Sequence, residues 1–496
     1  MAVRVESGAT GVVERVAIVG GGAAGAIAAV HLLREPRERG ALEIELIDRD
    51  GGFGAGVAYG TDDPLHLLNV PAVRMGALSG HPEHFHEWLA ERGEPVAEEA
   101  FMPRGLYATY IRDLLARAER EAVDARLLRR GGEVVGIAAG AGGTTPLELT
   151  FADGERLRAD RVVLALGPLS GGDPIRVPQE LRDSGVYVAD PWAEGALDRA
   201  RRDRAVLIVG TGLSMVDVAL SLCTERGPRV RAVSRHGLVP RRHRRDLTNL
   251  RRFHIPTESG SLEPIVGAIF GQICRVAQQG DDWRDVIDSM RPVTPQIWKR
   301  LRVEDKRRFL AEFQRLWDVH RFRMAPEVAD RFEALRESGR VVTEANAIVS
   351  LEPQGDRVRV FLRTPGSYDL DTVEVDRVIN CSGAGCDLRR DAPPVIAGLL
   401  AAGRARPDEL GLGLDIAPDG ALLDAEGAPS ERIFAIGALR KGVEWEAIGI
   451  TEIRDHSGVV AGRIVAAGER GEIDLPTPPE LRPNVTAVPP AEWEAA

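Results

Sequence analysis

The chain predicts an α/β fold made of two similar parallel-sheet units, and three observations carry that prediction. The first is Val16-Ala-Ile-Val-Gly20-Gly-Gly22-Ala-Ala-Gly25, an apolar run that ends in G-x-G-x-x-G and enters an alanine-rich stretch. The second is Val206-Leu-Ile-Val-Gly210-Thr-Gly212-Leu-Ser214-Met215, the same pattern with Met215 in place of the third glycine. The third is a shared closing phrase: Asp160-Arg-Val-Val-Leu-Ala-Leu-Gly167 follows the first turn, and Asp376-Arg-Val-Ile-Asn-Cys-Ser-Gly383 follows the second in matching register.

A strand, a glycine turn and a helix start in that order make a phosphate site. Glycines let the backbone turn tightly and approach a pyrophosphate, while the helix N-terminus offers free N–H groups and the positive end of its dipole. One such motif is weak; two, each in strand–turn–helix context with a matching tail, predict two Rossmann-like dinucleotide-binding domains. Gly20, Gly22, Ala24 and Gly25 line the first site, and Gly210, Gly212 and Ser214 the second. Gly383 belongs to the second tail, where small residues pack against cofactor.

Between Val16 and Asp48 the pattern reads strand, turn, helix, strand, and Asp48 ends the second strand, where a carboxylate can accept hydrogen bonds from a ribose. Gly51 to Pro71 is loop-rich, and helices are expected from Glu83 to Glu91 and from Gly105 to about Arg120. Short strand-like pieces between Leu127 and Leu157 read as an antiparallel meander, and a second meander occupies Arg340 to Val375. From Phe253 to Glu337 apolar residues fall at helical spacing, as at Ile265, Ile269, Ile273 and Val276, and strand signals vanish; this predicts a helical insertion shaping substrate access, with Trp283, Arg291, Trp298 and Arg323 as candidate contacts. The expected division is 14–183 and 386–473 for the first domain, 184–252 and 338–385 for the second, 253–337 for the insertion, and a disordered tail over 474–496.

The strand after the second turn ends Val230-Arg-Ala-Val-Ser234-Arg235. A site for an unphosphorylated ribose would place an acid there. A guanidinium instead suits a 2′-phosphate, being planar, permanently charged and able to form paired hydrogen bonds. The first site is therefore read as an FAD site and the second as an NADPH site, with Ser234 and Arg235 at the phosphate and Arg241, Arg242, Arg244 and Arg245 as a solvated loop. Arg432-Ile-Phe-Ala-Ile-Gly437 reads as the FAD domain resuming, with Gly437 at a close backbone approach.

Bulk properties exclude several classes. At 496 residues two or three domains are expected. Lys+Arg 64 against Asp+Glu 75 leaves a net charge of −11, which disfavours nucleic acid or an anionic membrane as partner. No apolar run is long enough for a membrane span, no signal-peptide pattern opens the chain, and the 4 cysteines lack C-x-x-C, so a cytoplasmic protein without a metal site is expected.

Several phrases resemble a bacterial FAD/NAD(P)-binding family: Phe53-Gly-Ala-Gly-Val-Ala-Tyr59, His66-Leu-Leu-Asn69-Val-Pro71, Phe101-Met-Pro-Arg104-Gly-Leu-Tyr107, Leu316-Trp-Asp-Val-His320-Arg321 and Gly442-Val-Glu-Trp445-Glu446. The layout is similar to NADPH-dependent flavin monooxygenases, some of which N-hydroxylate amino acids. The resemblance implies hydride transfer from NADPH to FAD, a reduced-flavin adduct with O₂ and oxygen transfer to an amine-bearing small molecule. The expected partners are that small molecule and O₂, with a homo-oligomer left open. Asn69, Arg104, Trp445 and Glu446 are the candidates to present that substrate. Baeyer–Villiger oxygenases carry Phe, Gly, His and Trp ahead of the second turn; Ser184-Gly185-Val-Tyr-Val-Ala-Asp190-Pro191-Trp192 keeps the tryptophan but neither the Phe nor the His, which favours N-oxygenation. Cys381 and Cys386 have the C-x₄-C spacing of flavin disulfide reductases but follow a late strand, so they are read as structural. A reductase that does not insert oxygen and a non-catalytic dinucleotide sensor are the competing readings.

Overall fold

The computed structural model describes residues 13–37, 40–139, 146–169, 172–245, 252–383 and 387–466. The predicted tail and Cys386 lie outside them. The first unit opens with β1 (Val13–Val19), α1 (Ala23–Arg34) and β2 (Ala41–Asp48). A long connection holding α2 (Gly56–Tyr59), α3 (His84–Glu91) and α4 (Arg104–Glu121) leads to β3 (Ala125–Gly131). Strands β4 (Val134–Ala139), β5 (Leu147–Phe151) and β6 (Arg156–Ala159) form a separate antiparallel sheet before β7 (Arg161–Leu164).

The second unit follows α5 (Gln179–Asp183) with β8 (Tyr187–Val188), β9 (Ala205–Val209), α6 (Leu213–Leu222) and β10 (Arg229–Ser234). Its long connection carries α7 (Leu262–Gln279), α8 (Trp283–Met290), α9 (Thr294–Arg300), α10 (Val303–Arg308), a π-helical turn at Phe309–Phe313, α11 (Gln314–Arg321) and α12 (Pro326–Glu337). Then come β11 (Val341–Ala345), a second antiparallel sheet of β12 (Ala347–Gln354), β13 (Arg357–Arg363) and β14 (Leu370–Val375), and β15 (Arg377–Asn380). The chain closes with α13 (Pro394–Ala401), β16 (Ala421–Leu423), β17 (Pro429–Ala435), α14 (Lys441–Glu444) and α15 (Ile450–Ala466).

The first sheet has the order β16-β17-β7-β1-β2-β3, parallel except at β16, and the second has the order β11-β10-β9-β15-β8, parallel throughout. Stripped of β16, the two orders match strand for strand. Val16 to Val19 are buried without alternation because α1, α4 and α15 cover one face of the sheet and the antiparallel β4–β6 sheet covers the other. Helix α1 is buried at nearly every position, packed between its sheet, α4 and α15.

Two expectations are corrected, in the same way in each unit. The piece at Leu127 and the piece after Arg340 are not meander strands: β3 pairs in parallel with β2, and β11 with β10. The helical insertion also ends earlier than expected. Met324, Ala325, Val328, Ala329 and Phe332 pack in the second unit's core with Ile208, Val216 and Ala219, so α12 is that unit's own crossover helix.

Candidate functional site

The first turn is set by backbone contact. Gly20 has φ +107°, and a Cβ there would lie 2.3 Å from the Ala165 carbonyl oxygen. A Cβ on Gly25 would lie 1.9 Å from the Gly20 carbonyl oxygen, so the third glycine seats α1 against the turn. Gly22 caps α1 with no side-chain partner and no acid in the first turn, leaving its N-terminal N–H groups open to an anion. Gly56 crosses over the turn; a Cβ on Gly22 would lie 3.3 Å from its Cα.

Asp48 sits half-buried at the end of β2, where its Oδ2 accepts the Gly21 N–H at 3.1 Å and its Oδ1 accepts the N–H groups of Asp50 and Gly52 at 3.0 Å. It braces the turn from the position a ribose would reach. Gly437, at φ +67°, brings the C-terminal segment over the start of α1: a Cβ there would lie 3.9 Å from the Ala24 Cβ and 3.7 Å from Ile453 on α15. Gly20, Gly22, Ala24, Gly25, Asp48 and Gly437 therefore converge on one site.

The second turn repeats this geometry. Gly210 has φ +105°, and its Cβ would lie 2.4 Å from the Cys381 carbonyl oxygen. Gly212 caps α6 without a side-chain partner and faces open space, as does Gly383 at φ +86°; Ser214 lies half-buried in the first turn of α6. The Ser234 hydroxyl is 2.8 Å from that of Thr211 and accepts the Gly237 N–H at 3.0 Å, fixing the bend after β10. Arg235 is exposed there, with no ion-pair partner among the described residues. Arg241 and Arg245 are exposed, as expected of a solvated loop, and Arg242 and Arg245 both pair with Asp330 at the surface. Arg244 departs from that expectation: it is half-buried and pairs with buried Asp285 at 2.7 Å.

The four candidates for substrate presentation divide. Asn69 is half-buried, and no described residue hydrogen-bonds its side-chain amide. Arg104 is engaged within the chain: its Nη2 lies 2.9 Å from Oδ2 of buried Asp217 on α6, and its Nε donates to the Leu67 carbonyl at 3.1 Å. Beside it, His66 contacts Thr61 through Nδ1 at 2.8 Å and Ser221 through Nε2 at 2.9 Å. With Leu65, Leu67 and Phe101 packed on the second unit's core, this motif docks the two units. Burial raises the Asp217 carboxyl, against the pull of Arg104 and His66.

Trp445 and Glu446 also turn toward the insertion. Trp445 stacks on Trp298 with ring centroids 4.8 Å apart and meets Phe309 edge-on at 5.2 Å. Glu446 receives Arg321 in a two-pronged pair, Nη2 to Oε2 at 2.8 Å and Nε to Oε1 at 3.1 Å. Trp445 has φ 63° and ψ −61°, and the Glu446 N–H donates to the Glu444 carbonyl at 2.8 Å, which makes a γ-turn of the rarer, strained kind. Trp445 is the one described non-glycine residue with positive φ. Trp298 also donates from its indole to the Gly442 carbonyl at 2.7 Å, closing the contact. Of the other insertion candidates, Trp283 packs on His320, while Arg291 and Arg323 face the start of α15 and Asp288. Sequence reasoning did not single out Arg74, whose only signal was a lone cation five residues after Asn69.

With that geometry in place, comparison fixes the fold. Residues 17–169 match the FAD-NAD(P)-binding family, so the first unit contains an FAD/NAD(P)-binding domain. No curated protein matches the chain. Among solved structures it is similar to the reduced form of ornithine hydroxylase from Pseudomonas aeruginosa (17% identity, TM-score 0.60, covering 92% of this chain and 100% of that one). It is also similar to the FAD-bound cadaverine monooxygenase of desferrioxamine biosynthesis from Erwinia amylovora (13%, 0.61, 96% and 99%). A bacillithiol disulfide reductase from Bacillus cereus aligns less closely (16%, 0.52, 92% and 99%). The shared fold is that of two-dinucleotide flavoproteins. No described helix is long and apolar enough to cross a membrane.

Proposed function

We propose that this protein is an FAD-dependent, NADPH-consuming monooxygenase that N-hydroxylates an amine-bearing small molecule. The observation that carries the reading is the pair of open glycine turns on one molecule, with a free guanidinium, Arg235, at the second. It is supported by the likeness to proteins whose names describe hydroxylation of ornithine and oxygenation of cadaverine.

The chemistry supplied by bound FAD is uptake of hydride from the nicotinamide and activation of O₂. The chain's own part is binding, orientation and exclusion of water. The N–H groups at the start of α1 and the Gly437 backbone would hold the FAD pyrophosphate, and Arg235 the 2′-phosphate of NADPH. The Trp298–Trp445–Phe309 stack excludes water on the insertion side. Asn69 offers an uncommitted amide that can donate to or accept from a reacting group.

A disulfide reductase is the second reading, favoured by the bacillithiol enzyme's fold. Against it, Cys381 is buried, its carbonyl is occupied in the second turn's close contact, and burial pushes its thiol well above the usual range, the reverse of a reactive cysteine.

The deciding experiment supplies the purified FAD-loaded protein with NADPH, O₂ and a panel of amines. Substrate should speed NADPH oxidation and yield an N-hydroxylated product carrying oxygen from labelled O₂. Stoichiometric hydrogen peroxide with every amine would leave an uncoupled reductase and sink the proposal.

A further inference from the structure

An arginine cluster lies where the first unit, the helical connection and the start of α15 meet. The chain that follows Asn69 runs alongside α15. Arg454 Nη1 donates to the Gly76 carbonyl at 3.0 Å, and a Cβ on Gly458 would lie 3.2 Å from the Ser79 Cβ. Arg74 lies near Arg291, whose Nη2 donates to the Thr451 hydroxyl on α15 at 2.7 Å. Arg321 and Arg323 reach the same place from the end of the connection.

The charges there do not balance. Arg321 pairs with Glu446, Arg323 with Asp288 at 2.5 Å, and Arg291 lies 3.5 Å from Glu452. Each of these three has its carboxylate. Arg74 has none: it is half-buried, and no described residue hydrogen-bonds or pairs with its guanidinium. Its charged neighbours are Arg291, Asp288, Arg252 and Arg321, and burial together with Arg291 lowers its affinity for its proton. Arg323 is only 3% exposed, yet its Nε and Nη1 are buried without an acceptor. Buried guanidinium N–H groups without acceptors are costly, and an arginine stays charged in a protein, so this arrangement leaves an unmet demand for an anion.

We propose that Arg74, with Arg291 and Arg323 beside it, binds a carboxylate on the substrate, so that the amine acted on belongs to an amino acid or another carboxylate-bearing amine. The reasons are position and number. Arg74 is five residues from Asn69, the one presentation candidate left uncommitted, and its guanidinium is a positive charge beyond the cluster's internal pairs. A planar guanidinium matches a carboxylate with two parallel hydrogen bonds. This rests on the proposed N-hydroxylation and on the reading of Asn69 as a substrate-presenting residue. A phosphate of the nicotinamide dinucleotide is the other source of the same anionic chemistry.

The test separates the two sources and does not depend on turnover. The oxidised, FAD-loaded protein is titrated without NADPH against amino acids and their decarboxylated counterparts, including L-lysine and cadaverine, which differ by one carboxylate, with flavin absorbance as readout. The carboxylate-bearing members should bind more tightly. Arg74→Met should reduce that discrimination at least about tenfold, the loss of one charge-assisted contact, and Arg74→Lys should restore part of it. FAD content is measured for both variants, and the lysine variant carries the test if the methionine variant does not retain flavin. Equal binding of each pair, or no carboxylate-dependent binding across the panel, overturns the assignment. So does a tenfold weaker NADP⁺ titration in Arg74→Met with discrimination intact, which would give the cluster to the nucleotide. Carboxylate binding through Arg74 without any oxygenated amine under O₂ would uphold the site and remove the N-hydroxylation reading.

Discussion

The two dinucleotide units are built on the same backbone device and differ in what surrounds it. In each, an aspartate opening the return strand reaches back to the first strand: Asp160 accepts the Arg15 N–H at 2.8 Å, and Asp376 accepts those of Arg204 and Ala205 at 2.7 and 2.9 Å. The following strand ends by pressing a carbonyl against the first glycine, Ala165 on Gly20 and Cys381 on Gly210. The repeated closing phrase is therefore the other wall of the turn. The difference lies at the third glycine position. Gly25 has no room for a side chain, whereas Met215 in the second unit is fully buried in that unit's core.

Both units also break their sheets at the same point, between the second strand and its outer neighbour, with a long connection. The two connections are exchanged. The first unit's connection sends Arg104 to Asp217 on α6, and the second's sends Arg321 to Glu446 near the end of the first unit. Each unit is thus held by an arginine from the other's excursion. The presentation candidates Arg104 and Glu446 are taken up in this exchange.

The sharpest way to break the comparison is to swap the third positions. Gly25→Met drives its Cβ into backbone and should abolish flavin retention, read as loss of visible absorbance after purification. Met215→Gly should leave a folded, yellow protein that is destabilised by about 2–5 kcal/mol through the cavity. Flavin bound normally by Gly25→Met would show that the two turns tolerate the same side chains.

Next in size are the exchanged ion pairs. Removing one partner of a buried pair leaves an uncompensated charge and costs about 3–5 kcal/mol, while replacing both by apolar groups costs far less. Glu446→Ala should therefore lower the thermal midpoint more than the Arg321→Met/Glu446→Met double variant. The two-pronged Arg321 pair should matter more than the single contact of Arg104. Equal midpoints for Glu446→Ala and the wild-type protein would remove the structural role assigned to the pair.

Under the proposed function, Arg235 is what distinguishes the units by cofactor. The first unit has Asp48 at the end of its second strand, and the second has a free guanidinium. Arg235→Ala should lose a charge-assisted phosphate contact of about 1.5–3 kcal/mol, removing most of the preference for NADPH over NADH while leaving FAD content alone. Equal kcat/KM for both nucleotides in the wild-type protein would refute the NADPH assignment.

The turns were legible in the sequence because a glycine's positive φ and a strand's apolar run are local facts. The presentation residues were not, because their partners lie far along the chain: Arg104 meets Asp217, Arg321 meets Glu446, and Trp445 meets Trp298. Nothing in the pattern around Trp445 announces that its backbone is strained. The misread strands β3 and β11 have the length and composition of hairpin strands. Only pairing with β2 and β10, across the long connections, makes them part of the parallel sheets. Helix α12 was merged into the insertion because helical periodicity shows an apolar face and not what covers it.

The smallest effect expected is a pH dependence shared by both units. His31 on α1 and His243 in the second connection are buried, and burial lowers each to about 4, with Arg323 also repelling a proton from His243. The unfolded chain binds that proton near pH 6.5, so between pH 6.5 and 4 the unfolded state carries more protons than the folded one. Stability is full above pH 6.5 and falls as the pH drops through that window. From pH 7.5 to 5.5 each histidine should cost about 1 kcal/mol. The His31 contribution should disappear in His31→Asn and the His243 contribution in His243→Asn, as read from urea midpoints at the two pH values. If the two units are independent in this respect, the double variant should lose the sum of the two slopes. An unchanged pH slope in both single variants would mean that these histidines do not set the acid sensitivity.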